Sequence, residues 1–250
     1  MYKLLLEKHI EELALNNSKE LSDKLEKLMD ITLEANSKFN LTAIKEENKF
    51  RELMIYDSLV VLKYFDFSNK SVLDIGTGAG FPGLPLALSS DGRFTLLDST
   101  SKKIKHIDLV TEELGITNVS TVADRVEHYV KDHRESFDVT IARAVASLQI
   151  LAELALPLTK VGGTFIAMKG SKADEELEEA KSIIKNLGGD ISNIIELELP
   201  ESKEKRTFIF INKVNKTPKK YPRNYSEIIS IDKAVKTSSN KLLDKAPWEK

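Results

Sequence analysis

At 250 residues, with 41% hydrophobic content and a formal net charge of −2, the chain suits one α/β domain with added helices. It has no global excess of positive charge, so any nucleic-acid surface must be a local basic patch. The absence of cysteine excludes disulfides, thiolate zinc sites and cysteine nucleophiles.

No apolar run approaches membrane-spanning length, and Met1-Tyr-Lys-Leu-Leu-Leu-Glu-Lys-His9 turns charged too early for a signal peptide. A cytoplasmic protein with no membrane partner is expected. Residues 3–16 and 18–36 read as two amphipathic helices. In the second, Leu21, Leu25, Leu28, Thr32 and Ala35 share a face opposite Lys and Glu, and Ser18 suits its N-cap. Both read as a helical cap on the main domain. Phe39-Asn-Leu-Thr-Ala-Ile44 is a non-periodic connector, and one more helix is expected from about Glu47 to Phe65.

Residues 71–168 then alternate strand and helix. Strands are expected at 72–75, 93–97, 119–122, 137–141 and 163–168, and helices at 82–89, 101–114, 125–131 and 147–156. Alternation with buried strands predicts a parallel, doubly wound sheet. A charged helix over 172–187 follows, whose Glu175, Glu176, Glu178 and Glu179 read as a solvated face. Strands near 193–199 and 206–212 come last; Thr207-Phe-Ile-Phe-Ile211 is rich in β formers.

The stretch Ser71-Val-Leu-Asp-Ile-Gly-Thr-Gly-Ala-Gly-Phe-Pro-Gly83 joins a buried strand to a helix through a glycine turn, the opening of a nucleotide-binding βαβ unit. Its spacing is G-x-G-x-G (Gly76, Gly78, Gly80), with Phe81 where a dinucleotide turn would place its third glycine. That pattern fits S-adenosylmethionine (SAM), which has no phosphates to hold at a helix N-terminus. The next strand ends in Asp98, about twenty residues beyond the glycines, where a carboxylate can accept from both ribose hydroxyls. By analogy, five parallel strands followed by a late antiparallel pair resemble the seven-stranded sheet of class I SAM-dependent methyltransferases, a Rossmann-like fold. The expected division is a helical region over 1–66, the catalytic domain over 67–225, and a C-terminal tail over 226–250 with little regular structure.

Several stretches resemble the ribosomal RNA small-subunit methyltransferase G family, also called glucose-inhibited division protein B. They are Asn40-Leu-Thr-Ala43, Asp57-Ser-Leu59, the glycine turn, Thr95-Leu-Leu-Asp-Ser99, Ala142-Arg-Ala144, Ala146-Ser-Leu148, Ala167-Met-Lys-Gly170 and Lys220-Tyr-Pro-Arg223. The resemblance implies methyl transfer from SAM to N7 of a guanine in 16S rRNA, with the rRNA, the small subunit or an assembly intermediate as partner. A monomer is expected. It implies SAM contacts at Gly76, Phe81, Val126, Glu127 and Arg143, to which Gly78 of the same turn and Asp98 are added. The chain departs from the family in carrying Met54 where a histidine is usual, and in the segment from Lys233 to Lys250.

Arg143, at the end of the fourth strand, is the candidate catalytic residue. It could pair with the SAM carboxylate or hydrogen-bond the guanine or a phosphate; as a purely structural residue it would bridge to Asp74 or Asp138. Asp74 itself suits a role in orienting the glycine turn. The place where amine-methylating enzymes carry an Asp/Asn-Pro-Pro-aromatic loop reads Ala142-Arg143-Ala144. For RNA the candidates are Lys169 and a basic run from Lys203 to Arg223, with Arg206, Lys219, Lys220 and Arg223 foremost and Tyr221 and Tyr225 as stacking rings. The four histidines form no metal-ligand spacing and read as surface residues, and no metal is expected. The alternative on the same fold is a methyltransferase of a small molecule or protein.

Overall fold

The computed structural model describes residues 2–13, 15, 18–143 and 146–243. Two helices come first, α1 (Tyr2–Glu12) and α2 (Ser18–Phe39). The expected helix after them is present as one uninterrupted helical run whose winding changes along its length: α3 (Glu47–Phe50), a π-helical turn (Arg51–Tyr56), α4 (Asp57–Leu59) and a 3-10 turn (Val60–Lys63). Then follow β1 (Ser71–Ile75), α5 (Gly83–Ser89), β2 (Arg93–Asp98), α6 (Ser101–Leu114), β3 (Val119–Ala123), α7 (Val126–His133), β4 (Phe137–Arg143), α8 (Leu148–Ala155) and β5 (Thr159–Lys169). The chain continues through α9 (Ala173–Asn186), β6 (Gly189–Glu198), β7 (Lys205–Lys213) and α10 (Tyr225–Leu243).

The seven strands form one sheet in the order β3-β2-β1-β4-β5-β7-β6. β1 to β5 pair in parallel; β7 runs antiparallel between β5 and β6. Side chains alternate between its faces with the period of two that a strand imposes. Val72, Val139, Ile141, Ile166, Met168, Phe208 and Phe210 join one core, which also holds Leu84 of α5, Ile107 of α6 and the apolar stripe of α2. Leu73, Ile75, Ala142, Phe165, Ala167, Ile209 and Ile211 join the other, beneath α8 and α9. The doubly wound sheet, the number of strands and the N-terminal helical cap are therefore as expected.

Three local differences have physical causes. The segment after Lys233, expected to be irregular, belongs to α10 as far as Leu243. Ile228 is buried beside Ile150 and Leu154 of α8, and Asp232 accepts a 2.5 Å hydrogen bond from Ser147. Residues 244–250 lie outside the described residues. His106 is buried between α2 and α6, 3.3 Å from Thr32 Oγ1, rather than on the surface, and burial lowers its pKa. Glu176 is turned inward from the acidic face of α9: it pairs with Lys169 at 2.7 Å and accepts the Leu148 N–H at 2.7 Å.

Candidate active site

The sheet order reverses between β1, which continues to β2, and β4, which continues to β5. Ligands of open α/β sheets bind in the crevice beyond the strand C-termini at such a point. The glycine turn lies there. Gly76, Gly78 and Gly80 have φ of 68°, 63° and 98°, a region in which a side chain is strained. A Cβ on Gly80 would stand 2.3 Å from Leu84 Cδ1, whereas one on Gly78 would meet nothing within 4 Å. Gly80 thus serves packing, and Gly78 keeps a backbone face open to a ligand.

Two carboxylates fix this turn. Asp74 is fully buried; its Oδ2 accepts from Thr77 Oγ1 at 2.6 Å and from the Gly83 N–H at 2.9 Å. Burial raises its pKa to about 6, against the lowering effect of those two hydrogen bonds. Asp98, at the end of β2, accepts from the Gly78 N–H at 3.1 Å, the Thr100 N–H at 2.8 Å and Lys103 Nζ at 3.4 Å.

Two cavities flank the turn. The first, about 400 Å³, is lined by Gly76, Asp98, Val126, Glu127, Tyr225 and Arg143 among others. The second, about 610 Å³, is lined by the Leu41–Ile44 connector, Met54, Asp57, Gly78, Phe81, Lys169 and Arg206, and again by Gly76 and Arg143. The expected cofactor residues are thus gathered at one crevice from four separate stretches. Gly76 and Arg143 form the shared wall.

Arg143 bridges to neither Asp74 nor Asp138. Asp138 is paired instead with Lys160 at 2.7 Å and with Ser71 at 2.6 Å. The Arg143 Nη1 donates to the carbonyls of Leu53 and Met54 at 3.2 and 3.3 Å and to Ser58 Oγ at 3.2 Å, and lies 3.4 Å from Asp57 Oδ2. Its guanidinium also sits 5.9 Å above the Phe81 ring, which is held edge-on by Phe50 at 5.4 Å. Burial lowers its pKa against the opposing pull of Asp57 and Asp74.

Beyond the matching stretch Asp57-Ser-Leu59, nothing in the residue pattern pointed to this cluster. Its origin is the π-helical turn: the wider winding aims the Leu53 and Met54 carbonyls sideways, where Arg143 meets them. Arg51 of the same turn pairs with Glu26 of α2 at 2.7 Å, and Glu52 accepts the Glu201 and Ser202 N–H groups at 2.6 and 2.9 Å. One turn therefore binds the helical cap, the β6–β7 connection and the end of β4 together. Met54 contributes its sulfur to the site, 3.5 Å from Arg143 Nη2.

The basic run does not stay together. β7 carries it from one end of the sheet to the other. Arg206 remains at the second cavity, 3.0 Å from Asp57 Oδ2, and Lys203 and Lys205 are exposed nearby in sequence. Lys213 is buried at the opposite end, donating to the Leu156 and Thr159 carbonyls, and burial lowers its pKa to about 8. Lys219 and Arg223 line a separate cavity of about 500 Å³ beside α7. Arg223 is paired with the buried Glu153 at 2.5 Å, and Lys220 lies 5.1 Å over the Tyr221 ring. Tyr221 is itself buried, so it offers no free stacking face; Tyr225 faces the first cavity with Arg125 5.3 Å over its ring. Lys169 is buried too, with its ammonium on Glu176 and on the Ala146 carbonyl at 2.6 Å.

Among the described residues no cluster of His, Asp and Glu could hold a metal ion, and no helix is long and apolar enough to cross a membrane. The family profile described as rRNA small subunit methyltransferase G (GidB) matches residues 21–209. The chain is 44% identical over 218 residues to a protein of Geobacillus sp. (strain WCH70) named ribosomal RNA small subunit methyltransferase G, covering 86% of this chain and 92% of that one. It is 45% identical over 211 residues to a protein of that name from Staphylococcus saprophyticus, covering 82% and 88%. Among solved structures, M. jannaschii TYW2 in complex with AdoMet superposes with a TM-score of 0.51 at 12% identity, over 60% of this chain and 72% of that one, a likeness of fold alone. The glycine turn, the crevice at the strand reversal and these relatives agree: the chain belongs to the ribosomal RNA small subunit methyltransferase G family.

Proposed function

We propose that this protein transfers a methyl group from SAM to N7 of a guanine in 16S rRNA. The observation that carries the reading is the pair of cavities meeting at Gly76 and Arg143, one suited to a cofactor and one to an incoming base. The chain's residues fit SAM. Open space lies over Gly78, a buried carboxylate ends β2 at Asp98, and Val126 and Glu127 wall the first cavity. In this reading Asp98 takes the ribose hydroxyls, Val126 and Glu127 flank the adenine, and Gly76, Gly78 and Phe81 hold the turn against the methionine portion. When bound, SAM supplies an electrophilic methyl group.

The chain's own task is then alignment. N7 of guanine has a lone pair and no hydrogen, so no general base is needed. Accordingly, the shared wall presents an arginine that cannot accept a proton, not a carboxylate or imidazole. Fixing two reactants in attack geometry can remove roughly 7–11 kcal/mol from a barrier. Arg143 is suited to that work because four acceptors hold its guanidinium where the two cavities join. Arg206 and the exposed Lys203 and Lys205 offer positive charge at the base side for the RNA backbone; Lys219, Lys220 and Arg223 are a more distant patch. The protein is read as a cytoplasmic monomer acting on the small subunit or its precursor.

Deleting the gene and mapping N7-methylguanine across 16S rRNA tests this. Loss of one methylated guanine is expected, restored by the wild-type gene and not by Gly76→Asp or Arg143→Ala. An unchanged map would refute the proposed activity.

A further inference from the structure

Outside the two cavities, one groove combines exposed apolar surface with free cations. It lies between α2 and α6, has a volume of about 430 Å³, and is lined by Phe39, Leu109, Lys102 and Lys105 among others. Phe39 is 56% exposed and Leu109 47%, which makes the groove the meeting place of two large apolar side chains left in water. Such exposure marks a surface that receives something. Its acids are Glu34 and Glu113, and Glu34 is paired with Lys38 at 3.0 Å. Lys102 and Lys105 have no carboxylate partner among the described residues. The floor is fixed by buried His106 against Thr32.

The groove's residues are also close in sequence to those of the candidate active site. Phe39 ends α2 and is followed within two residues by the Leu41–Ile44 connector that walls the second cavity. Lys102 stands between Thr100 and Lys103, which line the first. An exposed ring beside unpaired lysines is the chemistry of single-stranded nucleic-acid binding: bases stack on the ring and phosphates meet the cations.

We propose that this groove takes a single-stranded segment of the rRNA substrate flanking the target guanine, with a base on Phe39 and phosphates on Lys102 and Lys105. This rests on the methyltransferase reading. It adds a surface, formed in part by α2, which the sequence assigned to a plain helical cap.

The test compares wild type, Phe39→Ala and the double variant Lys102→Ala/Lys105→Ala, using a 16S rRNA fragment containing the methylated guanine. RNA affinity is measured from low to high salt, and SAM affinity by calorimetry. Phe39→Ala should weaken RNA binding about tenfold, the loss of one stacked base. The double variant should reduce the slope of log affinity against log salt by about 1.4, the release expected for two single-strand phosphates. SAM affinity should stay within twofold of wild type in both. RNA affinities and slopes equal to wild type would overturn the proposal. So would variants that bind naked rRNA normally but fail on the assembled subunit, since that would make the groove a docking face for ribosomal protein. Failure of wild type itself to methylate rRNA would count against the functional reading, and is told apart by that control.

Discussion

Asp74 shows how one residue can be read from sequence in role but not in electrostatics. Its place ahead of the glycines suggested that it orients the turn, and it does so through Thr77 and Gly83. Only the structure shows that its second oxygen is buried without a hydrogen-bond partner. Burial raises its pKa from 3.8 to about 6, so the folded state favours the neutral acid. The stability this contributes is complete below pH 3.8 and is lost as pH rises through about 6, a difference of roughly 3 kcal/mol. Asp74→Asn keeps one carbonyl acceptor and has no charge to bury. Urea unfolding at pH 4 and pH 7 should show wild type losing stability relative to this variant at the higher pH; parallel behaviour would contradict the assignment. The glycines separate in the same way. Gly80→Ala should destabilise by about 3 kcal/mol, combining positive φ with a Leu84 clash. Gly78→Ala should cost only about 1 kcal/mol of stability yet weaken SAM binding, because its Cβ enters the open space. Thermal unfolding and calorimetry distinguish the two.

At the scale of elements, the strands and the helices between residues 71 and 213 were legible because period-two and period-3.6 patterns, glycine turns and caps all agreed. Gly115, for instance, ends α6 with φ 63°, as its place after Leu114 predicts. Over 47–63 the helix itself was legible but its π winding was not, since the apolar spacing is compatible with a regular α-helix. What accompanies the change of winding is tertiary: Arg143 draws on carbonyls, and Arg51 and Glu52 reach to distant elements. α10 was hidden for a related reason. Its helical pattern is weak, and it is held by Ile228 in a pocket of α8 and by the Ser147–Asp232 hydrogen bond. The π turn makes a direct prediction. Glu52→Gln should cost about 1–2 kcal/mol, the difference between charged and neutral acceptance of two backbone N–H groups. It should also raise protease cutting at residues 200–204. Equal cutting in both proteins would show that Glu52 does not clamp that connection.

Across the whole molecule, the same logic divides the candidate site. The expected cofactor residues come together because motif order along a βαβ chain fixes their position in space: each lies at the C-terminal end of a parallel strand or just beyond it. The basic run does not, because an antiparallel strand carries Lys205 and Lys213 to opposite ends of the sheet. Charge reversal at Lys203 and Lys205 should therefore impair RNA methylation at physiological salt, while reversal at Lys216 and Lys219 should leave it nearly intact; transfer of a labelled methyl group from SAM to 16S rRNA measures both. Everything turns on a cofactor lying over the bend between β1 and α5, next to Arg143. Calorimetric titration of SAM into the purified protein, with NAD titrated in parallel, tests this most directly. One SAM should bind per chain, NAD should give no signal, and Gly78→Asp should abolish the heat. A folded protein that takes up no SAM, with or without rRNA present, would contradict the account.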